Sequence, residues 1–153
     1  MSSAAATHLI ELPDLAATQA LAASIAGLAR AADAILLEGE LGAGKSALAR
    51  AFLRTASGDP ELEVPSPTFT LVQSYDTRIG TVHHFDLWRL NGPAGLAELG
   101  WEEARDGIVL VEWPDRLGVL WPADALIIAL HQTGVDSRRA VLSGWPERLR
   151  CIK

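Results

Sequence analysis

Lysine is nearly absent from this sequence, because the only lysines among its thirteen basic residues are Lys45 and Lys153. Acidic residues outnumber basic ones, and the formal net charge is −6 at pH 7. A protein that binds nucleic acid by itself needs a basic surface to neutralise phosphates, and this composition does not supply one. The charge balance argues against a free-standing nucleic-acid binder, and a role near RNA would need partners that hold the RNA.

Cysteine and long apolar runs are scarce as well. Cys151 is the only cysteine, which excludes an intrachain disulfide and suits a reducing compartment. No apolar run approaches the ~20 residues that cross a bilayer, and residues 1–7 lack the basic-then-apolar layout of a signal peptide. We therefore expect a cytoplasmic protein with no membrane association, built as one domain over residues 1–153.

A phosphate-binding pattern stands out against this background. Residues 39–46 read GELGAGKS and fit the pattern G-x-x-x-x-G-K-[ST]. Glycines let the backbone turn sharply, so that successive N–H groups point at phosphate oxygens. Lys45 would reach the β- and γ-phosphates, and the hydroxyl of Ser46 can ligate Mg²⁺. A chain that uses arginine almost everywhere else thus has a lysine at this position, where a compact ammonium group and a planar guanidinium are not interchangeable. The choice of lysine favours nucleotide binding by this loop.

The segments around this loop have the order that a P-loop fold requires. Residues 34–37 (AILL) form an apolar run typical of a buried strand. Residues 47–55 are rich in helix formers, with Leu48 and Phe52 on one face, and the turn at 57–60 ends that helix. The sequence therefore predicts strand, loop and helix in succession.

Short alternating segments elsewhere predict further strands. The prediction is an α/β fold of the P-loop NTPase type, with three layers and a mixed central sheet that combines a parallel core with antiparallel hairpins. The predicted elements are a strand at 8–12, a helix capped by Asp14, a hairpin of strands 68–75 and 81–89, a short helix at 96–104, a buried strand at 108–111, and a closing hairpin of strands 126–130 and 139–143.

Two carboxylates compete for the role of metal ligand. Asp86 lies in the returning hairpin strand, whereas Glu112 ends the apolar run 108–111, at the edge where open α/β sheets place their ligands. Pattern alone favours Glu112. Ser66 and Thr68 lie on a proline-framed loop, in the position of switch segments that sense the γ-phosphate and Mg²⁺.

Two adjacent histidines, His83 and His84, raise the alternative of a different metal site. No cysteine or third histidine lies nearby in the sequence, so we interpret both as ordinary sheet residues.

Four motifs together resemble the bacterial TsaE family: GELGAGKS at 39–46, PSPTFTLV at 65–72, HFDLWR at 84–89 and VEWPD at 111–115. Their order and spacing agree over nearly the whole chain. The resemblance implies a compact α/β fold with a mixed sheet, ATP or ADP and Mg²⁺ as ligands, and weak, partner-stimulated ATPase activity. It also implies a role in threonylcarbamoyladenosine modification of tRNA with the TsaB–TsaD complex, and contact with tRNA only through that complex.

The resemblance implies roles for single residues. It makes Asp86 the Walker B-like carboxylate and Glu112 a catalytic or coupling acid beside Trp113, against the choice that pattern alone favours; which acid lies closer to Mg²⁺ stays open. The full candidate set is Lys45, Asp86 and Glu112 as catalytic residues; Glu40, Leu41, Gly42, Ala43, Gly44, Lys45, Ser46, Ala47 and Trp113 as nucleotide-binding residues; and Ser46, Thr68, Asp86 and Glu112 as metal ligands.

Two other classes of protein remain as alternatives beside this interpretation, and a third is excluded. A small-molecule kinase would use the same loop and could take Arg138 and Arg139 as a lid. A regulatory GTPase is excluded, because its [NT]-K-x-D motif needs a lysine and the only other lysine is the last residue. A nucleotide-dependent interaction module would bind nucleotide without significant turnover.

Overall fold

Seven strands join in one sheet within the described part of the chain, residues 7–67 and 70–152 of the computed structural model. The strands are β1 (Thr7–Leu12), β2 (Ala34–Glu38), β3 (Val72–Thr77), β4 (Gly80–Asp86), β5 (Ile108–Glu112), β6 (Leu126–Gln132) and β7 (Arg138–Ser143). The α-helices are α1 (Leu15–Leu28), α2 (Lys45–Ser57) and α3 (Trp101–Ala104). Short 3₁₀ segments lie at Pro93–Gly95, Ala97–Leu99, Pro114–Leu120 and Arg148–Cys151.

The sheet has a parallel centre and antiparallel flanks. Its strand order is β1-β7-β6-β2-β5-β4-β3. β2 runs parallel to both β5 and β6, and β4 runs parallel to β5. β7 is antiparallel to β1 and β6, and β3 is antiparallel to β4. The predicted mixed sheet is confirmed, and the carboxyl ends of four parallel strands meet at one edge.

Both faces of the central strands are covered. Successive residues of a strand point to opposite faces, so Ile35 and Leu37 face the core beneath α1 and α2, while Ala34 and Leu36 face a second core. The second core is closed by the short helical segments, with Trp101 of α3 among its buried members. The result is the predicted three-layer arrangement, with every residue of β5 buried.

Local signals for the helix ends act as the sequence predicts. The Asp14 side chain accepts a hydrogen bond of 2.9 Å from the backbone N–H of Ala17 and caps α1. α2 ends at Gly58, whose left-handed φ of 65° lets its backbone N–H bond the carbonyls of Arg54 and Thr55. The turn predicted at 57–60 therefore ends this helix.

Three predicted elements need correction. The strand predicted at 68–75 begins only at Val72, because Leu71 adopts a left-handed φ of 69° that interrupts extended backbone; residues 68–69 lie outside the described residues. Its partner ends at Asp86 rather than at residue 89. The helix predicted at 96–104 is broken at Gly100, with φ 75°, into a 3₁₀ turn and the single turn of α3.

None of the helices in the described ranges is long and apolar enough to cross a membrane.

Candidate functional site

The phosphate loop lies where the carboxyl ends of three parallel strands come together. β2 leads directly into the loop at 39–44, and α2 begins at Lys45. On the adjacent strands, Asp86 of β4 is paired in register with Glu112 of β5, and Glu112 is in turn paired with Leu37 of β2. The two candidate acids are therefore neighbours beside the loop, although they are distant in sequence.

Close approach to β6 fixes the start of the loop. Gly39 has a φ of 148°, and a Cβ added there would lie only 2.7 Å from the carbonyl oxygen of Leu130. Such a distance is below any normal contact, so this position requires glycine for packing as well as for the turn. Lys45 donates a hydrogen bond from Nζ to the carbonyl oxygen of Gly39, which closes the loop on itself.

Lys45 is covered by an aromatic ring. Its Nζ lies 3.6 Å from the centroid of the Trp113 ring, a cation–π contact. Trp113 follows β5 in a left-handed conformation, φ 60° and ψ 53°, which is strained for a bulky residue. Trp88 packs against it, with ring centroids 4.7 Å apart. The two indoles thus form an aromatic wall beside the loop lysine.

The buried position of Lys45 perturbs its titration. Burial lowers the pKa of the Lys45 ammonium, and the carboxylates of Glu112, Asp86 and Asp115 partly oppose that effect. Three acids therefore surround one buried cation. A phosphate bound here would compete with these carboxylates for the Lys45 ammonium group, which is already buried.

Asp86 is also buried, and burial raises the pKa of its carboxyl group, as does nearby Glu112. The backbone N–H of Trp88, which donates to Oδ1 over 3.2 Å, and the charges of His84 and Lys45 act in the opposite direction. Desolvation is the largest of these effects. Burial therefore disfavours the ionised form of Asp86, and a bound cation would stabilise that form.

Glu112 is held from two sides. One carboxylate oxygen, Oε1, accepts a 3.3 Å hydrogen bond from Oγ of Ser46, and the other, Oε2, lies 2.8 Å from Nε2 of His84. Within the described structure, Nδ1 of His84 is buried without a hydrogen-bond partner. The carboxylate is therefore fixed between β4 and the first turn of α2.

These groups line a cavity of about 390 Å³, a size that small-molecule sites commonly have. Most of the predicted nucleotide-binding residues contribute to it. Its lining comprises Leu41, Gly42, Gly44, Lys45, Ser46, Ala47, Ser66, Asp86, Trp88, Glu112 and Trp113. Glu40 and Ala43 line a smaller neighbouring cavity instead, and Thr68 lies outside the described residues.

The oxygen groups of this cavity suit a hard cation. Ser46 supplies a hydroxyl, and Asp86 and Glu112 supply carboxylates, all at the cavity wall. Mg²⁺ is usually held by one or two carboxylates together with phosphate oxygens rather than by an all-protein cage. The described residues contain no group of three or more His, Cys, Asp and Glu side chains placed to hold a metal ion. The donor set fits a magnesium–nucleotide better than a free-standing metal centre.

Sequence reasoning missed several contacts of this site. His84, interpreted as an ordinary sheet residue, touches Glu112, and its period-two spacing from Asp86 on β4 is the signal that could have placed it on the same face. The arginine pair that a kinase would use as a lid is divided, because Arg138 reaches the phosphate loop while Arg139 pairs with Glu11 over 2.9 Å.

The fold and the site together define a protein of the P-loop-like α/β class. A family model described as "Threonylcarbamoyl adenosine biosynthesis protein TsaE" matches residues 12–141, and the chain belongs to this TsaE family.

Individual relatives agree with that assignment, and those named here carry the description "tRNA threonylcarbamoyladenosine biosynthesis protein TsaE". The Bacillus subtilis protein is 32% identical over 137 residues, covering 88% of this chain and 84% of the relative. The Rickettsia bellii protein is 34% identical over 122 residues, covering 79% and 84% respectively. The Rickettsia felis protein is 40% identical over 99 residues, and this match spans 57% of that relative's length.

A solved structure shares the whole fold. The crystal structure of Bacillus subtilis YdiB superposes with a TM-score of 0.77 at 25% sequence identity, covering 98% of this chain and 93% of the YdiB chain.

Proposed function

We propose that this protein binds Mg-ATP at the loop 39–46 and hydrolyses it slowly, as an accessory ATPase in the threonylcarbamoyladenosine modification of tRNA. The TsaE family membership supports the pathway. One structural observation supports the chemistry, namely that Lys45, Ser46, Asp86 and Glu112 face a single cavity beside the phosphate loop.

The chain's own groups divide the work of binding. Lys45 supplies the charge for the β- and γ-phosphates, while the N-terminus of α2 directs backbone N–H groups at them. Ser46 and Asp86 hold the metal side of the nucleotide. When bound, Mg²⁺ neutralises charge on the phosphate oxygens.

Glu112 is the acid that we assign to turnover. Its two hydrogen-bond contacts, to Ser46 and His84, hold the carboxylate at the cavity wall. A carboxylate fixed there can accept a hydrogen bond from a water molecule and orient it toward a phosphate. The open cavity supplies little exclusion of bulk water, so we expect slow turnover by the isolated chain.

We propose that the TsaB–TsaD complex completes the site and stimulates hydrolysis. The net charge of −6 disfavours direct binding of RNA, so the protein would meet tRNA only through that complex, in the cytoplasm.

The test measures ATP turnover and the formation of modified tRNA, with and without TsaB–TsaD. We expect a slow basal rate, stimulation by the complex, and loss of both in a Lys45→Ala variant that keeps its fold by circular dichroism. Calorimetry with ADP, ATP, GDP and GTP should show preference for the adenine nucleotides, because the chain lacks the guanine-reading motif.

Distinct outcomes separate the alternatives. Nucleotide binding without turnover, even with TsaB–TsaD, would favour the interaction module. Absence of nucleotide binding by the wild-type protein would remove the loop from its proposed role. Guanine binding as tight as adenine binding would overturn the ATP assignment.

A further inference from the structure

Arg138, the first residue of β7, lies against the outside of the phosphate loop. Its Nη2 donates a 3.3 Å hydrogen bond to the carbonyl oxygen of Gly42. Its Nη1 donates to the carbonyl oxygens of Ser137 and Val135, at 2.9 and 3.3 Å. The guanidinium therefore joins the β6–β7 hairpin to the middle of the loop.

The same side chain packs over Gly44. A Cβ placed at Gly44 would lie 3.5 Å from Nε of Arg138 and 3.8 Å from its Cγ, which is ordinary contact distance. Gly44 directly precedes Lys45, so the Arg138 side chain packs against the backbone next to the loop lysine. A nucleotide phosphate bound in the loop would interact with the charges of both residues.

No carboxylate neutralises Arg138 within the described ranges. The ion pairs found there involve Arg116, Arg139, Arg148 and His84 instead. Nε of Arg138 is buried and has no hydrogen-bond partner among the described residues. An acidic protein thus keeps one partly buried, unpaired cation against its phosphate loop, where fixed positive charge favours a bound anion.

We propose that Arg138 is a positioning residue for nucleotide binding: it holds the Gly42 peptide in place and supplies a second positive charge behind the loop. The hydrogen bond orders the loop during folding, so less conformational entropy is lost when phosphates bind. The positive charge of Arg138 attracts the bound phosphates without touching them. This inference rests on the proposed function, since it requires a nucleotide in the loop.

Arg139 offers a matched control for the test. It is the next residue of the same strand, and it pairs with Glu11 on β1 rather than with the loop. R138M and R139M therefore remove the same charge, with a similar aliphatic side chain remaining, from two faces of β7. Dissociation constants for Mg-ADP and Mg-ATP would be measured by calorimetry, together with the Tm of each protein with and without nucleotide.

We expect R138M to bind both nucleotides roughly tenfold more weakly than the wild type, and R139M to stay within about twofold, as for an exposed ion pair. The Tm rise produced by nucleotide should shrink in R138M alone, because a merely structural role would lower the ligand-free Tm instead. With TsaB–TsaD present, R138M should raise KM and leave kcat nearly unchanged. R138K should recover part of the affinity, since it keeps the charge but loses the planar fork.

Equal affinities for R138M and R139M, while the wild type binds normally, would overturn the role of Arg138 and leave the proposed function intact. A wild type that binds no nucleotide would overturn both. If R138M fails to fold, R138K replaces it in the test. An R138K affinity for Mg-ATP equal to that of the wild type in both low salt and high salt would contradict the proposed role of the Arg138 guanidinium.

Discussion

The Nε2 atom of His84 lies 2.8 Å from Oε2 of Glu112, and these side chains are only 3% and 4% exposed. A buried carboxylate without a partner is costly, so the imidazole gives Glu112 a fixed place and orientation. Ser46 holds the other carboxylate oxygen. The acid proposed for turnover therefore depends on a residue of the neighbouring strand that does not itself reach the cavity wall.

Replacing His84 should affect turnover more than binding. His84→Leu removes the partner of Glu112 and should destabilise the fold by about 3 kcal/mol, as for other broken buried pairs. His84→Gln places an amide N–H near the position of Nε2 and should fold better and keep part of the TsaB–TsaD-stimulated rate. Chemical denaturation, kcat and the dissociation constant of Mg-ATP would be measured for both. Equal kcat in the wild type and the Leu variant would contradict a positioning role.

The two acids should separate by phenotype. Asp86→Asn should weaken the Mg²⁺ dependence of ATP binding, because it removes charge at the proposed metal position while keeping size. Glu112→Gln should bind Mg-ATP nearly normally and lose turnover by at least roughly tenfold, mainly visible with TsaB–TsaD present. Calorimetry at several Mg²⁺ concentrations and a steady-state ATPase assay would show this. Loss of Mg²⁺-dependent binding in Glu112→Gln, together with normal binding and lost turnover in Asp86→Asn, would instead make Glu112 the metal ligand.

Asp86 should also make the ligand-free protein sensitive to pH. Burial raises the pKa of Asp86 in the folded state, so the folded protein binds this proton more tightly than the unfolded chain does. The resulting stability is fully present below the ordinary carboxyl pKa of about 4 and is lost as pH rises through the folded-state value. Asp86→Asn should therefore raise the Tm at pH 7 in EDTA, and the gain should shrink toward pH 4.

Asp124→Asn provides the control for this measurement, because Asp124 is exposed and is not among the charges that shift the pKa of Lys45 or Asp86. Its Tm should follow that of the wild type across the pH range. A lower Tm for Asp86→Asn than for wild type at pH 7 would show that the carboxylate stabilises the empty site.

The contact between Trp113 and Lys45 should respond to nucleotide. A phosphate that attracts Nζ competes with the ring, so binding should change the intrinsic fluorescence of the Trp113–Trp88 pair. Trp113→Phe should lose most of that change and weaken the contact to Lys45 by about 0.5–1 kcal/mol. Trp121→Phe should keep it, because Trp121 packs against the second core and does not line the cavity. An undiminished signal in Trp113→Phe would place the fluorescence change elsewhere.

Local sequence patterns predicted the elements whose conformation depends mainly on neighbouring residues in the chain. The apolar run of β2, the glycine-rich loop and the capped ends of α1 and α2 each carry their own signal. The helix predicted at 96–104 failed at Gly100, because a left-handed residue ended a segment whose composition otherwise suits a helix.

The contacts of the site that sequence reasoning missed join residues that lie far apart in the chain. His84 and Glu112 are 28 residues apart, and Arg138 and Gly42 are 96 apart. Strand order brings each pair together, and no periodicity in one sequence encodes that order. Local patterns predicted Asp86 and Glu112 as candidate acids and the motif resemblance implied their roles, whereas the contacts of His84 with Glu112 and of Arg138 with the loop became visible only in the fold.

The place of β2 between β5 and β6 also constrains how the chain reaches its native state. Both neighbours of the loop-bearing strand are synthesised long after it, and such distant pairings slow folding and leave strand edges open meanwhile. The backbone of Leu130 on β6 packs against Gly39, so this contact of the loop forms only after β6 has been synthesised. The proposed binding of ATP should therefore stabilise mainly the late stages of folding, and a ribosome-bound fragment without β6 should gain little from it.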